Sequence, residues 1–241
     1  MPCGAVLIAS GRLSSCYTQA MKLLLATTNR GKISELKRIL GEQQIDIIGL
    51  DAGDSTEEIE TGATFVENAL LKARHYHRLT HLPTIADDSG LEVAALDGRP
   101  GVTSARYAGP EASDADRIRK LLGELQDVPD DRRAARFVCA AALVWDEGEQ
   151  VFEDEARGVI LHAPRGASGF GYDPVFFYEP LGKTFAELTE IEKAEVSHRG
   201  RAFRRLAAWL KSARVLDTPK SGDRIKFPIG ESSASSMRGD V

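Results

Sequence analysis

The 241-residue chain has only three cysteines, and Cys3, Cys16 and Cys139 show no metal-ligand spacing and cannot all pair within it. Cys139 sits in the apolar run Phe137-Val138-Cys139-Ala140-Ala141-Ala142-Leu143-Val144-Trp145, the setting of a small buried thiol. Such usage fits a reducing compartment, and a cytoplasmic location is expected. No apolar stretch approaches the ~20 residues that a membrane helix requires, so no membrane partner is expected. Positive charge is not in excess: 31 Lys and Arg against 36 Asp and Glu give a net charge of −5, which argues against a nucleic-acid partner. A polyanionic substrate must therefore be met by locally placed cations or by a metal. The five histidines offer no zinc arrangement, because His75 and His77 face different sides of a helix and His81 lies further on. No internal repeat is present.

What remains is ordinary for a globular protein. Hydrophobic residues make up 42% and charged residues 28%, and the length suffices for a substantial core in one large or two small domains. Residues 1–20 carry one brief apolar run, Ala5-Val6-Leu7-Ile8-Ala9, with no basic cluster before it and shorter than an ordinary secretory core of about 7–15 residues. Met21 is therefore expected to be the functional start, with residues 1–20 a loosely ordered extension. Residues 21–216 form the expected domain. From residue 217 periodicity gives way to Ser, Gly, Pro and scattered charges, so 217–241 is expected to be a disordered tail.

Along the domain, residues 22–26 read as a strand and 27–32 as a loop. Ile33, Leu36, Ile39 and Leu40 follow at helical spacing. A strand is expected at 45–50, then an acidic, turn-rich stretch over 51–62. Thr64-Phe65-Val66-Glu67 has the form of a capping box, and Ala69, Leu70, Ala73 and Tyr76 continue a helical face. The apolar pair Ile85-Ala86 reads as a buried strand emptying into a sharp turn at Asp87-Asp88-Ser89-Gly90, with another short strand over 91–96. A Gly- and Pro-rich loop, a helix over 113–125 and a hairpin of 136–145 with 149–154 come next. A glycine-rich loop at 166–174 follows. Ser197 is an expected N-cap for a closing helix bearing Phe203, Leu206 and Leu210. The body is mixed α/β.

Several segments carry chemistry. Thr27-Thr28-Asn29-Arg30-Gly31-Lys32 places hydroxyls, an amide and two cations at a helix start, where free N–H groups favour a phosphate; taken alone it also suits a capped helix with surface cations. It lacks the spacing of a Walker A loop. Asp87 and Asp88 cannot face the same cavity if the strand continues through them, so one is available for metal or water and the other holds the turn. Glu60 is a possible second carboxylate. Gly169-Phe170-Gly171-Tyr172-Asp173-Pro174 interleaves rings with glycines, either to lay a ring against a planar base or to form a compact turn that buries two aromatics. Ser197-His198-Arg199-Gly200, with Lys193 before it, puts cations at a helix start against the helix dipole, a cost that points to an anionic or oxygen-rich partner.

Together these segments resemble the non-canonical purine nucleoside triphosphate pyrophosphatases, the inosine triphosphatase or Ham1-like family. The likeness rests on residues 27–32, 64–73, 85–90, 100–107, 168–174, Lys193 and 197–200, in family order. It implies a mixed central β-sheet with flanking helices and two lobes around a long nucleotide-binding cleft, usually as a homodimer. It also implies Mg²⁺-dependent conversion of ITP, dITP and XTP to the monophosphate and pyrophosphate. By position, Thr27, Thr28, Asn29, Arg30, Gly31 and Lys32 would embrace the triphosphate, and Asp88 would be the catalytic carboxylate. Glu60 and Asp88 would hold metal, directly or through water. Ser89, Phe170, Gly171, Tyr172, Asp173, Lys193, His198 and Arg199 would line the substrate pocket, with Asp87 supporting the turn. A pyrophosphatase for modified pyrimidine nucleotides and a nucleotide-sensing module without hydrolysis are the rival readings.

Overall fold

In the computed structural model, residues 21–28, 30–40, 45–50 and 59–212 are described. The extension 1–20, Asn29, most of the acidic stretch and the tail 217–241 lie outside them.

Leucine and isoleucine runs form two short parallel strands, β1 (Met21–Leu25) and β2 (Ile45–Gly49). β1 also runs parallel to the first two residues of a much longer strand, β3 (Thr84–Val93). The alanine-rich β4 (Ala134–Trp145), β5 (Gly148–Ile160), and the short β6 (Phe176–Tyr178) and β7 (Lys183–Thr184) continue antiparallel. The seven strands form one mixed sheet in the order β2-β1-β3-β4-β5-β6-β7. Among the described residues five helices flank it: α1 (Arg30–Leu40), α2 (Phe65–Thr80), α3 (Asp114–Glu124), α4 (Glu190–Val196) and α5 (His198–Ser212). Thr64 with Glu67, Ser113 with Asp116, and Thr189 with Glu192 form reciprocal capping boxes that start α2, α3 and α4. Ser197 accepts from the Gly200 N–H at 3.0 Å and so caps α5 as expected.

The sequence reading fails at Asp87-Asp88-Ser89-Gly90. There is no turn: β3 runs unbroken through all four residues, in continuous register with β4 from Thr84 opposite Val144 to Val93 opposite Ala135. The expected short strand at 91–96 is the far end of β3, closed by a 3₁₀ turn over Ala94–Leu96. Gly90 serves close approach, not reversal. A Cβ there would lie 2.5 Å from the Gly101 carbonyl oxygen and 2.6 Å from Ser104 Oγ. A smaller correction concerns the phosphate-loop segment, whose Arg30, Gly31 and Lys32 already belong to the first turn of α1.

Strand parity divides the interior. Leu23, Leu25, Ile85, Cys139, Ala141 and Leu143 face α1 and α5, packing with Leu36, Phe203, Leu206 and Leu210. Leu24, Ala26, Ala86, Ala140 and Ala142 face α2, packing with Phe65, Ala69, Ala73 and Tyr76. Further along the long strands, Leu91, Val93, Ala135 and Phe137 belong to another apolar cluster with Ile118, Leu121, Tyr172, Phe176 and Phe185. Asp87 and Ser89 fall on β3 between Ile85 and Leu91, in the gap between the two clusters that share that face.

Gly90→Ala is expected to lower stability by about 2 kcal/mol, the scale of overpacking a closed contact. A denaturant titration should show a lower midpoint at unchanged slope.

Candidate active site

β1 stops at Leu25, opposite Ile85, so between Ala86 and Leu91 the β1-side edge of β3 has no strand beside it among the described residues; beyond that, Glu92 bridges to Pro100. Side chains complete that edge. Lys72 Nζ donates to the Asp87 carbonyl oxygen at 2.7 Å, and Ser104 Oγ accepts from the Leu91 N–H at 2.9 Å. The gap beyond β1 is where Thr27 and Thr28 lead into α1. The two acids flank it from opposite faces of β3, as strand parity requires.

On the α1 and α5 face, Lys32 Nζ reaches both Asp87 oxygens at 2.9 Å and Arg199 Nε lies 3.2 Å from Oδ2. Ser89 Oγ donates to the same oxygen at 3.3 Å. Burial alone would raise the Asp87 carboxyl, but Lys32, then Arg199 and Lys72, hold it well below the usual carboxylate range. Asp87 is thus an anchor for cations rather than the support of a turn. It also answers the dipole cost at the start of α5, since the Arg199 cation finds its counter-charge within the chain.

On the α2 face, Asp88 accepts from Asn68 Nδ2 at 3.0 Å and from the Ser89 N–H at 3.0 Å. Lys72 Nζ sits 2.6 Å from Glu60 Oε1. Burial lifts the Asp88 carboxyl above its ordinary value; Lys72 opposes this and the Glu60 charge adds to it. Lys72 stays charged, because Glu60, Asp87 and Asp88 outweigh its burial and raise its pKa. Asn68 and Lys72 were missed in the sequence. Their signal was two polar residues four apart on the otherwise apolar stripe of Phe65, Ala69, Ala73 and Tyr76.

Glu60 and Asp88 are hard oxygen donors near enough for one to shift the other. Among the described residues no group of three or more His, Cys, Asp or Glu side chains could hold a metal. Two carboxylates suit Mg²⁺, which is commonly held by one or two of them together with substrate phosphates and water.

A cavity of about 710 Å³ opens on the Asp87 face. It brings together Lys32, Ser89, Phe170, Gly171, Tyr172, Asp173, Lys193, His198 and Arg199, all expected from the sequence. Thr27 and Thr28 do not line it, Asn29 lies outside the described residues, and the Arg30 side chain is likewise not described. The two rings of the glycine loop part company. Tyr172 is buried and donates its hydroxyl to the Ser104 carbonyl at 3.0 Å, whereas Phe170 is 53% exposed at the cavity rim. Lys193 Nζ and the Arg199 guanidinium lie 4.7 and 5.6 Å from the Phe170 ring centre. Lys193 is also paired with Asp173. His198 stacks on Phe137 at 4.8 Å, and its buried Nδ1 has no hydrogen-bond partner.

Burial, then the Arg199 and Lys193 cations, push the His198 pKa well below 6.5. The unfolded chain therefore binds a proton that the folded chain refuses, and stability is lost as pH falls below about 6.5. Asp88 has the opposite sign, but it is common to both proteins in a comparison. As pH falls from 6.5 to 5 the wild type is expected to lose stability faster than His198→Gln, the difference in slope approaching about 1.4 kcal/mol per pH unit at the acid end, measured by urea unfolding.

The sequence profile of the Ham1 family matches residues 23–209. The chain is 50% identical over 196 residues to a dITP/XTP pyrophosphatase of Yersinia pestis, covering 80% of this chain and 99% of that protein. It is 49% identical over 196 residues to the dITP/XTP pyrophosphatase of Escherichia coli K12, covering 79% and 98%. Among solved structures, a HAM1 protein from Coxiella burnetii superposes with a TM-score of 0.73 at 42% identity, over 80% of this chain and all of the other (100%). A nucleoside-triphosphatase described as a dITP/XTP pyrophosphatase from Mycobacterium abscessus gives 0.65 at 48% identity, over 77% and 98%. With the matched profile spanning both the acid pair and the cavity, this chain belongs to the Ham1 family.

Proposed function

We propose that the chain hydrolyses the non-canonical purine nucleoside triphosphates ITP, dITP and XTP to the monophosphate and pyrophosphate. The observation that carries this reading is the gap beyond β1. It has a carboxylate–lysine centre on one side, Asp88 with Glu60 and Lys72, and the cavity bearing Phe170 on the other. The first can act on a phosphate chain and the second can receive a base. The names of the relatives support the substrate class.

Within this reading, Thr27, Thr28, Asn29, Arg30, Gly31 and Lys32 bind the phosphates, helped by the N–H groups at the start of α1. Lys32 and Lys72 offset phosphate charge. Asp88, made more basic by burial, orients a water molecule and takes its proton as the water oxygen attacks the α-phosphorus. The bond to the bridging oxygen breaks and pyrophosphate leaves, its charge held by the lysines. Glu60 and Asp88 would hold Mg²⁺, which when bound offsets further phosphate charge and makes water more acidic. Phe170 stacks on the base, while Ser89, Gly171, Tyr172, Asp173, Lys193, His198 and Arg199 shape its pocket. Arg199 is a donor suited to the 6-oxo group that adenine lacks.

Homodimeric assembly, which rests on the family resemblance, and a cytoplasmic location, which rests on the cysteine usage, belong to the same proposal. Among the described residues no helix is long and apolar enough to cross a membrane.

The decisive measurement is pyrophosphate release from ITP, dITP, XTP, GTP, ATP and dUTP, with Mg²⁺ and with EDTA. Turnover is expected for the first three and to vanish with EDTA. Preference for dUTP would favour a pyrimidine enzyme, and binding without turnover a sensing module. Asp88→Asn should lower kcat by at least ~100-fold, the scale of general-base loss. Near-normal kcat in a folded variant would refute that role.

A further inference from the structure

The start of α3 touches the glycine loop at one point. An oxygen of Asp114 accepts from the Gly171 N–H at 2.6 Å, across 57 residues of sequence. Its other oxygen pairs with Arg117, one helical turn on. Both residues line the cavity, and the buried Nε of Arg117 has no hydrogen-bond partner. An acidic residue in a first helical turn ordinarily serves its own helix. Here Ser113 and Asp116 already complete the capping box of α3, which leaves the Asp114 carboxylate for the loop.

The neighbouring N–H is held separately. Phe170 donates to Asp173 Oδ2 at 2.8 Å, and Asp173 is in turn paired with Lys193. The exposed Phe170 ring thus projects from a backbone whose own and following N–H groups are fixed by two carboxylates from different elements. Gly171 has a φ of +59°, a conformation that glycine adopts freely and also leaves freely, so an external tether decides how well it is kept.

We propose that Asp114 is a positioning residue for purine recognition. Its carboxylate, oriented by Arg117, fixes the Gly171 amide and with it the plane that Phe170 offers to the base. This rests on the assignment of the loop to base binding. Asp114 touches no reacting atom, so it acts on KM and leaves the chemical step alone.

The test compares three variants of the full chain. Asp114→Ala removes the acceptor. Asp114→Glu keeps the charge and the helix-dipole interaction but moves the oxygen by one methylene, and serves where the alanine variant does not fold. Asp114→Asn keeps one oxygen for the Gly171 N–H and gives up the oxygen that faces Arg117, so it tests the loop contact apart from the ion pair. The Ala and Glu variants are expected to raise KM for ITP about 10-fold, the factor that 1.4 kcal/mol represents. Their kcat should stay within about 2-fold, and Asp114→Asn should stay near wild type in both constants. Hydrogen exchange without nucleotide should show faster exchange at Phe170 and Gly171 in the first two variants and not in the third. Unchanged KM in the folded Ala and Glu variants, an Asn variant as impaired as they are, or unaltered loop exchange would each overturn the proposal. Because exchange is read without turnover, a chain that failed to hydrolyse ITP would sink the proposed function and leave this loop test standing.

Discussion

A carboxylate buried in the middle of a sheet is tolerable only when its hydrogen-bonding capacity is met, and Asp87 meets its own with cations from two helices, while a third helix reaches its backbone carbonyl. Lys32 comes from the first turn of α1 and Arg199 from the first turn of α5, both onto the side chain; Lys72 comes from α2 onto the carbonyl oxygen. Each cation is itself largely withdrawn from water; Lys32 and Arg199 answer their burial with this acid, and Lys72 answers its own with Glu60 first and Asp87 next. The pull is mutual, and it sets where three helix segments sit relative to β3. A chain of net charge −5 in this way gathers positive charge in one place.

The early end of β1 gives this anchor its use. Had β1 continued beside β3, backbone pairing would have filled the edge that Lys72 and Ser104 now complete. Leaving the edge open creates a gap bordered by two faces of one strand. Parity then puts unlike acids on its two sides: Asp87 saturated by cations and held ionised, Asp88 partly satisfied by Asn68 and more basic. Adjacent residues of one type thus acquire separate properties from their faces alone.

Much of this was legible in the sequence where a local rule sufficed. The capping box at Thr64 and the N-cap at Ser197 place helix starts correctly, because they depend on residues within one turn. Parity at Asp87 and Asp88 was also readable. The turn was a misreading: Asp, Ser and Gly favour turns by local propensity, and here tertiary partners from α1, α2 and α5 override it. Gly90 looked like a chain reversal because a glycine required by the approach of Gly101 and Ser104 leaves the same letter as one required by a turn. Lys72 was invisible for a different reason, since a lysine on an apolar helical stripe ordinarily snorkels to solvent. Only its spacing from Asn68 hinted that the stripe faced a polar cleft. The contact of Asp114 with Gly171 left no local signature at all.

The arrangement also separates reaction from discrimination. In the proposed reaction the Asp88 face acts on phosphates, which every nucleoside triphosphate shares, so that centre cannot tell bases apart. Selection falls to the Phe170 end of the cavity, where His198 is kept neutral by burial and by the Arg199 and Lys193 cations. A neutral imidazole with a free Nδ1 can accept or donate according to tautomer, whereas an imidazolium only donates. Arg199 can only donate, which favours an oxo group and leaves an amino group unpaired. The same guanidinium is bonded to Asp87, which also holds Lys32. In the proposed reaction a base that displaced Arg199 would therefore disturb the acid that holds Lys32, the lysine assigned there to the phosphates. Discrimination at the base is thus expected to appear in catalytic turnover as well as in binding, because the two ends of the substrate share one carboxylate.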